Sequence, residues 1–246
     1  MPPESKEPSS SPEPQLSSDQ QRVIDLAERL SLGAQNRRRA PLPESLDAEG
    51  KAAVLRRLKE MDDVDAIALN VAVFPASEED VEWLLAKDRS SAAVDMAGRL
   101  SAEFCLQLVT QLMNAQSYSE ALRLIGLQKI PVRSVPASVA DELVRQGRAV
   151  QVGKEIQKFS EGLSEASALA FIQLGRDGVG VLAYYADRFV GLSQATFDSL
   201  QQESPELLRF IANKLARFHG LDNQSAALLR AAGFEKEVES NPESFL

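Results

Sequence analysis

The sequence predicts an all-α fold: an α-solenoid, a HEAT-like stack of helical hairpins, preceded by a disordered N-terminal tail. Three observations predict it. Between Val135 and Gly220 the chain repeats itself three times, in segments opening at Val135-Pro136, Leu163-Ser164 and Leu192-Ser193, each readable as two short helices. In the second helix of each segment the apolar residues step by three, four and three: Ala149, Val152, Ile156, Phe159; Val179, Leu182, Ala186, Phe189; Leu208, Ile211, Leu215, Phe218. That spacing marks one buried face of a 3.6-residue helix. The third observation is negative, since β-branched runs with two-residue alternation are absent. A helix pair this small cannot bury its apolar face alone, but stacked copies can.

The elements follow in chain order. Residues 1–17 are almost all Pro, Ser, Glu, Gln and Lys, a composition that cannot repay ordering entropy, and are expected to be disordered. A helix is predicted from about Ser18 to Leu32, capped by Ser17 or Ser18 and stopped by Gly33. Residues 34–45 read as a linker with Arg37-Arg38-Arg39. Helices follow over about Asp47–Met61 and Val64–Phe74, the second ended by Pro75. Ser77 with Asp80 opens a helix through Trp83. Short helices then cover Ser91–Arg99, a segment opened by Leu100-Ser101, and Tyr118–Leu127. Ile130-Pro131-Val132 reads as an extended joint. In the clear repeats the first helices align through Leu143, Phe171 and Leu200, with Gly147, Gly175 and Ser204 in the turns. Asp222–Ala232 forms one more helix, terminated by Gly233. The predicted domains are therefore a tail (1–17), N-terminal helices and linker (18–75), a HEAT-like repeat domain (76–233) and an acidic C-terminal tail (234–246).

Composition narrows the function. A net charge of −9 argues against bulk phosphate-backbone binding. One cysteine, Cys105, allows no intrachain disulfide and fits a reducing compartment. No apolar targeting segment follows Met1-Pro2-Pro3-Glu4 and no stretch is long enough to span a bilayer, so the expected location is the cytoplasm, away from the membrane.

The stretch from Ser134 to Leu200, with Ser-Val-Pro-Ala-Ser-Val-Ala-Asp-Glu-Leu-Val-Arg-Gln-Gly and then Gly-Leu-Ser-Glu-Ala-Ser-Ala-Leu-Ala-Phe-Ile, resembles a proteobacterial family of HEAT-like helical repeat proteins catalogued as a domain of unknown function. The shared features are a Leu-Ser opening and a Leu-Val-x-x-Gly helix end, over roughly Ala76 to Gly220. Of the family's Asn near the end of the second helix, only Asn213 stands here. The resemblance implies a bacterial cytosolic scaffold or signalling-associated module, and it brings no catalytic residue.

The residues that suggest a site form a ladder. A cation precedes each repeated Phe: Lys158, Arg188 and Arg217. Stacked, they would line up about 10 Å apart and could grip an acidic peptide or a phosphate chain. The simpler reading is that each caps a helix C-terminus, where cations favour the macrodipole. On the ladder reading, exchanging Arg188 and Arg217 for Gln should leave folding nearly intact. Lys154, Tyr184 and Asn213 add polar or aromatic surface, completing the candidate partner-binding set. His219 precedes Gly220 at a helix end and lacks an orienting partner for base chemistry. Cys105, among Phe104, Leu106 and Leu108, reads as a small buried hydrophobe. Gly175-Arg176-Asp177-Gly178-Val179-Gly180 matches no phosphate-loop spacing and reads as an inter-helix turn, with Gly178 and Gly180 allowing close helix approach. Asp62-Asp63-Val64-Asp65 and Glu78-Glu79-Asp80 sit at helix starts, where anions are favourable. No catalytic, cofactor or metal site is expected. The functional expectation is a non-catalytic protein–protein interaction scaffold binding another protein; the alternative is a nucleic-acid-binding HEAT-like solenoid using the local basic ladder.

Overall fold

A computed structural model of the chain describes residues 17–203 and 205–245. Over these it is all-helical, with fifteen α-helices, short 3-10 turns and no strand beyond isolated bridges. The disorder expected of residues 1–16 lies outside the described residues; Ser17 is ordered as a helix cap. None of the described helices is long and apolar enough to cross a membrane. Two compact units divide between Met96 and Ala97.

In the first unit, α1 (Ser18–Gln35) opens with a capping box between Ser17 and Gln20, which satisfies two orphan donors of its first turn. Gly33 does not stop it: the helix runs on to Asn36. The glycine serves a close approach instead, since a Cβ there would lie 2.8 Å from the Arg38 carbonyl oxygen, where the chain folds back. Asp47 caps α2 (Ala48–Glu60) and Asp63 caps α3 (Val64–Leu69). These three helices pack on one another through a core that includes Leu26, Leu30, Val54, Leu58 and Ile67. The helix expected over Val64–Phe74 breaks at Asn70, continues as a 3-10 turn over Val71–Val73, and delivers Phe74 in extended geometry into the core. Ser77 caps α4 (Glu78–Ala86), as expected, and α5 (Ser90–Ala97) follows. The ammonium groups of Lys59 and Lys87 each lie over the Trp83 ring, under 6 Å from its centroid.

The second unit contains five helix pairs among the described residues: α6 (Ala102–Asn114) with α7 (Tyr118–Ile125), α8 (Ala137–Arg145) with α9 (Ala149–Lys154), α10 (Glu165–Ile172) with α11 (Arg176–Tyr184), α12 (Gln194–Glu203) with α13 (Leu208–Asn213), and α14 (Asn223–Ala231) with α15 (Glu235–Ser240). Contacts also join neighbouring pairs, as α8 to α10, α9 to α11 and α10 to α12. Leu143, Phe171 and Leu200 are fully buried on the first helices.

The apolar stripe crosses a change of backbone. Each second helix ends at a residue near the bridge region of backbone space: Glu155 (φ −108°, ψ 14°), Tyr185 (−122°, 29°) and Lys214 (−121°, 17°). A 3-10 turn follows, over Ile156–Lys158, Ala186–Arg188 and Leu215–Arg217. The repeated phenylalanines are therefore not helical. They leave the turn extended, at ψ near 150°, and each pairs in a parallel bridge with the residue that opens its own segment: Val135 with Phe159, Leu163 with Phe189, Leu192 with Phe218. One rung thus ties the two ends of each of these three helix pairs together. Phe159 and Phe189 are fully buried and Phe218 nearly so, each worth about 1.5–3 kcal/mol of burial.

Of the acidic C-terminal tail expected over 234–246, the described residues 234–245 are structured. α15 and a 3-10 turn at Pro242–Ser244 bring Phe245 into a fourth bridge, with Leu221. Val238 and Phe245 hold the places that Val152 and Phe159 hold in the earlier pair, at the same spacing of seven residues.

Candidate functional site

The cation ladder is the first thing the geometry resolves. Lys158 is buried, and its Nζ donates to the carbonyls of Leu127 (3.4 Å) and Ile130 (2.5 Å) in the preceding pair. Arg188 is 4% exposed, and its Nη1 donates to the Phe159 carbonyl at 3.1 Å. The Ile130 and Phe159 carbonyls lie just past the end of α7 and past the 3-10 turn that follows α9, so each cation caps the neighbouring pair rather than its own. Lys129, 29 residues before Lys158, does the same to the Ala97 and Leu100 carbonyls. Ser244 ends the series with a neutral hydroxyl, donating to the Leu215 carbonyl at 2.8 Å. Arg217 departs from the pattern and is exposed.

Lys158 and Arg188 are therefore withdrawn from any partner-binding surface, and the expectation that Arg188 is dispensable for folding is corrected. Arg188→Met should leave the Phe159 carbonyl unpaired and destabilise by about 1–3 kcal/mol. Arg217→Gln should stay within about 0.5 kcal/mol of the parent. Urea midpoints of the two single variants check this.

A second set of inter-pair bonds clamps the starts of the first helices. Asp141 on α8 accepts from the backbone N–H and hydroxyl of Ser164 and from the Ser167 hydroxyl. Glu165 Oε1 accepts from the Ser193 N–H (2.7 Å), the Ser193 hydroxyl (2.7 Å) and the Thr196 hydroxyl (2.6 Å). Gln194 Oε1 accepts from the Asp222 N–H and the Ser225 hydroxyl. The N-cap residues Ser164, Ser193 and Asp222 recur every 29 residues, each with a buried hydroxyl three positions on. That pattern was present in the sequence behind the Leu-Ser openings.

Burial pushes the Glu165 carboxyl up, but bonds from Thr196 and Ser193 outweigh it and hold the group below its ordinary value near 4.5. Bonds from Ser225 lower Asp222 likewise. Because the folded-state value is depressed, this stability is fully present above the unfolded-state value and is lost as pH falls through the folded one. Melting curves from about pH 7 to about pH 3 should therefore fall more steeply for the parent than for Glu165→Gln, whose side chain does not titrate. Parallel acid profiles would remove Glu165 from this role.

The remaining candidates fall on the surface. Lys154, Tyr184 and Asn213 are the final residues of α9, α11 and α13, at intervals of 30 and 29, and all three are exposed, Tyr184 at 85%. Lys154 also borders a groove of about 330 Å³ lined from α9, α10 and α11. Phe171, Gly153, Gly178 and Val181 line it, with the half-exposed Val150 and Leu174 at its mouth and Lys154 and Asp177 along its rim. Two of the lining glycines hold the helices close together. A Cβ on Gly178 would fall 1.8 Å from the Phe171 carbonyl oxygen, and one on Gly153 would lie 3.2 Å from the Phe171 ring. Gly180, expected to share that role, meets nothing within 4 Å. Val150 and Leu174 lie outside the residues expected at the site; their signal in the sequence is that each is apolar yet off the buried stripe.

Other expected features take structural places. Cys105 is fully buried, with its thiol against the Ala97 carbonyl. His219 is exposed, and its backbone N–H completes the bond to Leu192. Asp62 and Asp65 pair with Lys87 and Arg89, Lys59 pairs with Asp80, and Arg37–Arg39 are exposed. No protein family, curated protein or solved structure matches the chain, so the functional reading rests on this geometry.

Proposed function

We propose that residues 97–245 form a HEAT-like α-solenoid that acts as a non-catalytic scaffold, holding another protein against the ends of its second helices. The observation that carries this reading is the exposed row of Lys154, Tyr184 and Asn213, with Lys154 also bordering a groove with uncovered Val150 and Leu174. A rim of mixed polarity around apolar anchors suits a polypeptide, and an amphipathic aromatic such as Tyr184 is a frequent anchor in such contacts. The repeated caps and clamps support the stacked arrangement, because each of these bonds joins one segment to the next. They also make the array a rigid platform, which keeps the ordering cost of binding low. The nucleic-acid alternative has lost its support, since of its three ladder cations only Arg217 is exposed.

The test is photo-crosslinking from a benzophenone side chain at position 184 in the cells that express the protein. The scaffold reading expects adducts with polypeptide that weaken when Val150 and Leu174 are both changed to Ser. Adducts with nucleic acid alone, or none at all, would contradict it.

A further inference from the structure

We infer that the groove between α9 and α11 docks a second copy of this chain, with the two grooves running antiparallel about a two-fold axis. The inference rests on the protein-binding reading above and names the partner. As second helices of successive pairs, α9 and α11 run side by side. A Cβ on Gly153 would lie 3.3 Å from Val181, and that register sets Ala149 level with Asp177. Lys154 therefore stands at one end of the groove and Asp177 at the other. Neither has an ion-pair partner among the described residues.

A groove with a cation at one end and an anion at the other is complementary to itself when reversed. A two-fold axis across its middle sets Lys154 against Asp177 of the second copy, and Asp177 against that copy's Lys154. The same reversal sets the two α11 helices antiparallel, opposing the positive end of each macrodipole to the negative end of the other. Past the Lys154 end stands Tyr184, one turn beyond Val181 on α11, and between the charged ends lie Val150 and Leu174, 51% and 41% exposed. In the pair these become the apolar centre, with charges at the rim. An unrelated partner would need this charge order and spacing by chance; a second copy has both by symmetry.

Sedimentation equilibrium of the full chain, up to about 100 µM, tests this together with a charge swap, each change acting twice across the axis. The parent should dimerise. Lys154→Asp and Asp177→Lys should each raise the dimer dissociation constant about tenfold or more, by opposing like charges. The double variant should recover to within about threefold of the parent, since it restores both pairs with reversed sign. Both positions are exposed, and circular dichroism confirms that each variant keeps the helical fold. A monomeric parent, unaffected single variants or an unrescued double variant would each overturn the inference. Benzophenone at position 184 separates this failure from failure of the scaffold reading. An adduct of twice the chain mass supports the second copy. An adduct only with a different polypeptide removes it and leaves the scaffold, and no polypeptide adduct removes both.

Discussion

Gly178→Ala should cost at least about 3 kcal/mol, the upper range for forcing extra atoms into packed structure, although Gly→Ala inside a helix ordinarily gains about 0.5–1 kcal/mol. The reason is a backbone collision. The added Cβ would sit 1.8 Å from the Phe171 carbonyl oxygen and 2.7 Å from its carbonyl carbon. Neither atom is the free end of a flexible side chain, so α10 and α11 must move apart. That separation loosens Phe171, whose ring packs edge-on against Phe189 at 5.9 Å. Gly180→Ala is the internal control. It lies two residues along the same helix, meets nothing within 4 Å, and should stabilise by the ordinary propensity gain. Urea unfolding of the two variants should give shifts of opposite sign. A harmless Gly178→Ala would mean that the two helices are not held this close.

The second large effect is expected at Phe189. Truncation to Ala should remove about 3–5 kcal/mol, the range for emptying a buried aromatic site. Phe189 is fully buried, closes the bridge to Leu163, and makes the edge contact with Phe171. If the bridged phenylalanines are equivalent, Phe159→Ala should cost a similar amount. Tyr184→Ala, on the same α11–turn segment but 85% exposed, should change stability by no more than about 0.5 kcal/mol. Chemical denaturation of the three variants measures all of this. A Phe189→Ala loss close to the Tyr184→Ala value would remove Phe189 from the interior.

The helices and their buried faces were legible because they follow from spacing. Stripes such as Val179, Leu182, Ala186 and Phe189 needed only the helical period, and Ser17, Asp47, Ser77 and Ser101 marked helix starts with cap chemistry. The periodicity hid the change of backbone at Glu155, Tyr185 and Lys214. A helix running into a 3-10 turn keeps the same face inward, so Phe159, Phe189 and Phe218 looked like the last residues of helices. The final pair was missed for a compositional reason. Glu235, Glu237, Glu239 and Glu243 dominate the segment and Pro242 occupies a stripe position, so Val238 and Phe245 seemed isolated.

The candidate site was legible only by half. Lys154, Tyr184 and Asn213 were picked out as surface and are exposed. Lys158 and Arg188 were legible as cap chemistry, but the carbonyls they satisfy belong to the neighbouring pair, about 30 residues away. No local pattern shows that. The groove was invisible for a similar reason: α9, α10 and α11 line it together, and they meet only in three dimensions.

Amide hydrogen exchange, resolved to single residues, tests most directly whether successive helix pairs are each closed by a pinned rung. The N–H groups of Ser160, Val190 and His219 lie outside every helix, yet donate to the carbonyls of Val135, Leu163 and Leu192 at 2.7–2.9 Å. They should exchange as slowly as amides of the buried helices, by opening only when the unit unfolds. Exchange at the rate of an open loop at all three positions would contradict the closed, tied helix pairs on which the whole account depends.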